Sequence, residues 1–168
     1  MDLDVTSISV IVAAAGVLIG VAYYILDMRS QAKTRQTDMV MSLYSTFSSK
    51  EFQVNYVQVH NLQWKNTEDF LEKFAAKTNA EVWASWQSIA AFFEQVGILL
   101  HRRLIDISLI DDLLSTPVQE SWEKMSPIII DRRKALKRPQ IWEWFEYLYN
   151  ETKKREQKLQ QKTGVKSG

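Results

Sequence analysis

One long apolar block opens the chain, and segments with helical periodicity follow it. From Val5 to Leu26 no residue carries a formal charge. No Gly or Pro occurs between Met28 and Phe47, and Val40, Leu43, Tyr44 and Phe47 recur at spacings of three and four. That spacing lines one face of a helix, so the apolar block reads as running on into a single helix that ends near Phe47. Ser48-Ser-Lys-Glu51 has the form of a capping box, in which a hydroxyl and a carboxylate three residues on satisfy each other's amides. It predicts a second helix with Phe52, Tyr56 and Val59 inward. Asn66 or Thr67 caps a third helix carrying Phe70, Leu71 and Phe74. Asn79 caps a longer fourth through Trp83, Trp86, Ile89, Ala90, Phe93, Val96 and Gly97 to His101-Arg102-Arg103. Asp106 caps a short helix to Leu114. Thr116-Pro117 predicts a new helix start, because Pro at the first helical position loses no hydrogen bond. That helix reaches about Lys137, and Pro139 opens the last one. No alternating strand pattern with hairpin turns is present. The fold expected is all-α: one N-terminal transmembrane helix followed by a cytoplasmic bundle of about six helices.

The apolar block is long enough for a membrane. Its 22 residues at about 1.5 Å each make about 33 Å of helix, against a hydrocarbon core of about 30 Å. A secretory signal has a basic front and a shorter apolar core. Here Asp2 and Asp4 lie in front, and Arg29, Lys33 and Arg35 follow. Basic flanks stay cytoplasmic, so the expected topology is N-terminus outside and C-terminal domain inside the cell membrane. The domain reading is an anchor over 1–29 (span about 5–26), a helical bundle over 30–150, and a basic polar tail over 151–168 that is partly disordered. Ser9, Ala13, Gly16 and Gly20 are spaced 4, 3, 4 and place four small residues on one helix face. Such a stripe lets a second backbone approach closely in lipid. The expected partners are membrane lipids and, through the span, another membrane protein or a second copy of the chain.

Composition narrows the chemistry. The 168 residues include no cysteine, which excludes disulfides, thiol catalysis and cysteine-held metals. Five glycines are too scattered for a phosphate loop. Neither HExxH nor GxSxG occurs. His60 and His101 lack the acid three residues earlier that di-iron bundles use. No cofactor or metal is expected, and the chain is read as non-enzymatic.

Three groups remain as candidates. Glu94 sits in "FFEQVGILLHRRLID" among apolar neighbours, with His101 two turns on and Arg102 and Arg103 beside it. A carboxylate there needs a partner. Either Glu94 with an Arg or His lines a ligand pocket, or it forms a buried ion pair that fixes helix packing. Residues 132–168 hold 11 basic and 4 acidic side chains. Their densest cluster is Arg132, Arg133, Lys134, Lys137 and Arg138. This cluster is either a plain solvated helix end or a candidate patch for anionic lipid or a protein partner. It lies on several helix faces without a nucleic-acid motif, so no nucleic acid is expected. Trp144 lies off the Ile141, Trp142, Phe145, Leu148 stripe and reads as an exposed interface aromatic.

Four stretches carry a resemblance: "SLYSTFSSKEF" (Ser42–Phe52), "FFEQVGILLHRRLID" (Phe92–Asp106), "VQESWEKMSPIIIDRR" (Val118–Arg133) and "WEWFEYLY" (Trp142–Tyr149). In these the chain resembles an uncharacterised prokaryotic family of small helical proteins, often with one N-terminal membrane helix. The likeness covers most of residues 35–150 and rests on packing motifs. It departs at His101-Arg102-Arg103-Leu104, where similar proteins often carry a basic residue and Gly before Ile-Asp. The resemblance implies no activity. The function expected from the sequence is a membrane-anchored interaction or scaffold protein, an accessory or regulatory subunit of a larger complex. The alternative is a membrane-tethered sensor with a pocket near Glu94 and Arg102/Arg103.

Overall fold

The computed structural model describes residues 5–164. Among the described residues the protein is all-helical, with six helices and no strand. These are α1 (Val5–Phe47), α2 (Lys50–Asn61), α3 (Thr67–Phe74), α4 (Ala80–His101), α5 (Ile107–Leu136) and α6 (Glu143–Thr163). The chain divides into two units, one up to Asp38 and one from Met39.

In the first unit, α1 runs unbroken through the apolar block. It is the one described helix long and apolar enough to cross a membrane, a test that an N-terminal signal sequence also passes. Its described side chains up to Arg35 are exposed, including Val12, Val17, Leu18 and Ile19. The polar stretch that follows is held by bonds within the helix. Gln31 donates to the Asp27 carboxylate, and the Thr34 and Thr37 hydroxyls donate to carbonyls four residues back.

The second unit holds the core. α4 contacts α2, α3, α5 and α6, and α5 packs along α6. The starts of α2 to α5 each rest on a capping side-chain acceptor. Asn66 takes the Asp69 amide, Asn79 the Val82 amide and Asp106 the Ser108 amide, each such cap contributing about 1 kcal/mol. The α2 cap is Ser49, which accepts from Phe52 N at 3.2 Å. That is one residue later than the Ser48 box expected, because Ser48 instead donates to Ser45 O at the end of α1. An aromatic chain runs through the interior. Phe47 and Phe52 meet Phe92, Phe92 meets Phe93, and Phe93 stacks on Phe145 with centroids 5.0 Å apart. Trp86 and Phe70 form a second centre at 4.5 Å. Burying each of the fully enclosed rings, Phe70, Trp86, Phe93 and Phe145, contributes about 1.5–3 kcal/mol.

Two expected helix boundaries are corrected. No break occurs at Thr116-Pro117: α5 continues through Pro117 and Pro127. An interior Pro costs about 3 kcal/mol. The buried stripe Ile110, Leu114, Val118, Trp122, Met125 and Ile129 keeps its register through Pro117 and offsets that cost. The last helix starts at Glu143, not at Pro139. α5 closes with Lys137 left-handed (φ 53°) and with Arg138 N bonded to Arg133 O at 3.0 Å. Pro139 to Trp142 then form a turn. The stretch read as a polar tail from residue 151 is helical to Thr163. The expectation of disorder at residues 165–168 lies outside the described residues.

Candidate functional site

The sequence candidates converge where α4 meets the start of α6. Trp142 precedes α6 with a left-handed backbone (φ 55°) and supplies no side-chain cap. The first amides of a helix need acceptors, and here the acceptor comes from another helix. Glu94 Oε2 accepts from Phe145 N at 2.8 Å, and the neighbouring Trp144 amide also favours the charged carboxylate. One turn along α4, Gly97 lets the α6 backbone come close. A Cβ there would lie 2.0 Å from Trp144 O and 2.6 Å from Trp144 C, so no larger residue fits without separating the helices. Another turn on, the His101 ring packs on Trp144 (4.2 Å between centroids) and meets Tyr147 edge-on at 5.3 Å. Glu94, Gly97 and His101 share one α4 face, and that face docks the N-terminus of α6.

Arg133 pins the same junction from α5. Its Nε donates to Ile141 O at 2.7 Å, and its Nη1 donates to the Glu146 carboxylate. Its guanidinium lies 5.9 Å from the Trp122 ring, and Nη2 is buried without a hydrogen-bond partner. The electrostatics at Glu94 follow from this setting. Burial pushes its pKa above the ordinary carboxylate value, with Glu143 adding to the rise. The two α6 amides and Arg133 pull the other way.

This geometry revises several sequence expectations. Glu94 forms no ion pair with His101, Arg102 or Arg103. Its partner is the Phe145 backbone amide, 51 positions along the chain, and a backbone partner leaves no trace in side-chain patterning. Arg102 and Arg103 are exposed at the α4–α5 turn. Arg103 is left-handed (φ 57°), and Leu104 N bonds Leu99 O at 3.0 Å while Arg103 N bonds Leu100 O at 2.9 Å. This paired closure normally takes Gly at the Arg103 position. Trp144 is half-buried rather than exposed, because its ring lies on His101 and its carbonyl on Gly97. The basic cluster does not form one patch. Arg132 lies over the Trp83 ring at 4.7 Å, Arg133 points into the α5–α6 junction, and Lys134 lies 3.9 Å from Asp131. Lys137 and Arg138 remain exposed. Ser9, Ala13, Gly16 and Gly20 are exposed, and a Cβ at either glycine would meet nothing within 4 Å.

Sequence reasoning left out Gly97 as a contact point, the Arg133–Ile141 clamp and the left-handed Trp142. The Glu94-x-x-Gly97 spacing on one face was the available signal for a close helix crossing. Beside the crossing lies a cleft of about 350 Å³ lined by Ile98, His101, Arg102 and Trp144. Among the described residues no three of His, Asp and Glu are grouped to hold a metal ion.

The family model described as "Domain of unknown function (DUF4760)" matches residues 8–152 of this chain. The chain belongs to the DUF4760 family. No curated protein and no solved structure matches it. The DUF4760 match takes in the apolar helix and the whole α4–α6 crossing, so the site and the candidate span belong to one family unit.

Proposed function

We propose that this DUF4760 protein is a single-pass, membrane-anchored interaction module. In this reading α1 spans the cell membrane with the N-terminus outside, and the helical unit from Met39 lies in the cytoplasm. The observation that carries the proposal is the exposure of the described apolar side chains of α1 from Ser9 on. An uncovered apolar helix of this length is strongly unfavourable in water and at home in lipid. Arg29, Lys33 and Arg35 after the apolar stretch and Tyr23 and Tyr24 at its inner end support the orientation.

The module acts as an accessory or regulatory subunit. It docks through the stripe Ser9, Ala13, Gly16 and Gly20, where open space beside both glycines leaves room for a second backbone. The partner is another membrane protein or a second copy of the chain. The test is co-purification from gentle detergent with and without Gly16→Leu plus Gly20→Leu. Loss of a partner or of self-association in the double variant supports docking through the stripe. Retention of every partner refutes it. Because the chain has no cysteine, single cysteines at Asp2 and Lys158 can report orientation with an impermeant maleimide on intact cells. Labelling at Asp2→Cys alone supports the proposed topology, and labelling at Lys158→Cys alone reverses it.

A further inference from the structure

The cleft beside the α4–α6 crossing combines two chemistries. Ile98, His101 and Trp144 give it apolar and aromatic walls, and Arg102 is the charged residue of its lining. The closing turn of α4 satisfies its own last carbonyls through Arg102 N, Arg103 N and Leu104 N. The Arg102 side chain is therefore not spent on capping. Among the described residues it makes no hydrogen bond or ion pair. The carboxylate two turns back, Glu94, is occupied by the Phe145 amide of α6. An unpaired planar guanidinium matches the paired oxygens of a carboxylate or phosphate, and a ring beside Trp and His gains stacking. His101 and Trp144 are held rather than loose, since both rings also meet Tyr147, at 5.3 and 6.1 Å. The wall is thus formed before any ligand arrives, which lowers the ordering cost of binding.

We propose that the Ile98, His101, Arg102 and Trp144 cleft binds a small planar aromatic acid, its ring against Trp144 and His101 and its anionic group on Arg102. This does not depend on α1 crossing a membrane, because every lining residue lies in the second unit.

The test uses the full chain in detergent, labelled with 5-fluorotryptophan, with the Trp144 fluorine signal assigned by Trp144→Phe. The probes are naphthalene-2-carboxylate, the neutral 2-naphthylmethanol and acetate. Naphthalene-2-carboxylate is expected to shift the Trp144 signal with a dissociation constant of about 1 mM or below. The neutral ring and acetate should each bind about tenfold more weakly or not at all. Arg102→Gln should weaken the aromatic acid about tenfold. Arg103→Gln removes the same charge one residue away, outside the cleft lining, and should leave binding within about twofold. No shift of the Trp144 signal by naphthalene-2-carboxylate overturns the proposal. So does an equal loss in both arginine variants, or equal binding of the neutral ring.

Discussion

Gly97→Ala measures the α4–α6 crossing most sharply. A Cβ at this position would sit 2.0 Å from Trp144 O, 2.6 Å from Trp144 C and 3.1 Å from Trp144 Cβ. The first two are backbone atoms in the opening turn of a helix, so they cannot swing aside as a side-chain end would. The helices must part by roughly 1 Å or more to reach ordinary van der Waals separation. Overpacking of this kind costs about 1–3 kcal/mol. Parting the helices also stretches the 2.8 Å bond from Phe145 N to the Glu94 carboxylate, a charge-assisted bond contributing about 1.5–3 kcal/mol. It loosens the Phe93–Phe145 stack as well. Against these losses, Ala is favoured over Gly inside a helix by about 1 kcal/mol. The net expectation is destabilisation of about 2–4 kcal/mol, a fall in Tm of roughly 5–15 °C for a unit of this size. Thermal unfolding of the full chain in detergent, followed by tryptophan fluorescence, gives the value. Ala84→Gly, at an exposed position inside the same helix, measures the propensity effect by itself and should cost about 1 kcal/mol. If Gly97→Ala is as stable as the parent or more so, α6 does not approach α4 as described.

Arg103→Gly should stabilise the protein by about 0.5–1 kcal/mol, because it relieves a left-handed backbone at φ 57° in the turn that normally takes Gly; an unchanged denaturation midpoint contradicts this. Asp106→Ala should cost about 1 kcal/mol through loss of the α5 cap. The Ser108 bonds hold the Asp106 pKa below 3.8, so its contribution is present above that value and fades as pH falls through the lowered one; denaturant titrations from pH 6 to pH 2.5 should show the variant converging on the parent in acid. Glu94 has the opposite sign. Its pKa is raised above 4.5, mainly by burial, so its ionisation-linked stability is full below 4.5 and is lost as pH rises through the raised value. The stability of the parent relative to Glu94→Gln should therefore decline as pH rises from about 4 to 7, and a rising difference would refute the desolvated setting. Glu94→Ala, which leaves the Phe145 amide without its acceptor, should cost about 1–3 kcal/mol at any pH in this range.

Local rules made much of the fold legible. Asn66, Asn79 and Asp106 start helices because a short polar side chain before an apolar stripe has one favourable use, and the structure finds each in that use. The run from the apolar block to Phe47 without Gly or Pro likewise appears as one helix. The misread places are those where tertiary contacts override a local preference. Pro117 ordinarily opens a helix, yet the buried stripe on both sides holds α5 together through it. Pro139 ordinarily opens one too, but the left-handed closure at Lys137 and the Arg133 bond to Ile141 O fix a turn there. At the site, the sequence marked Glu94 as a carboxylate in need of a partner. It could not show that the partner is the backbone amide of Phe145, since amides are common to every residue. The basic run from Arg132 to Arg138 was legible as lying on several helix faces, but not that Arg132 lies over Trp83 and Arg133 bonds Ile141 O.

The proposed topology requires α1 to be a retained membrane anchor. Alkaline carbonate extraction of membranes from cells making the full chain, followed by intact-mass measurement, tests it directly. The anchor predicts a protein that stays in the membrane pellet with its N-terminal apolar segment intact. A soluble product lacking that segment would show that α1 is a cleaved signal sequence and would contradict the account.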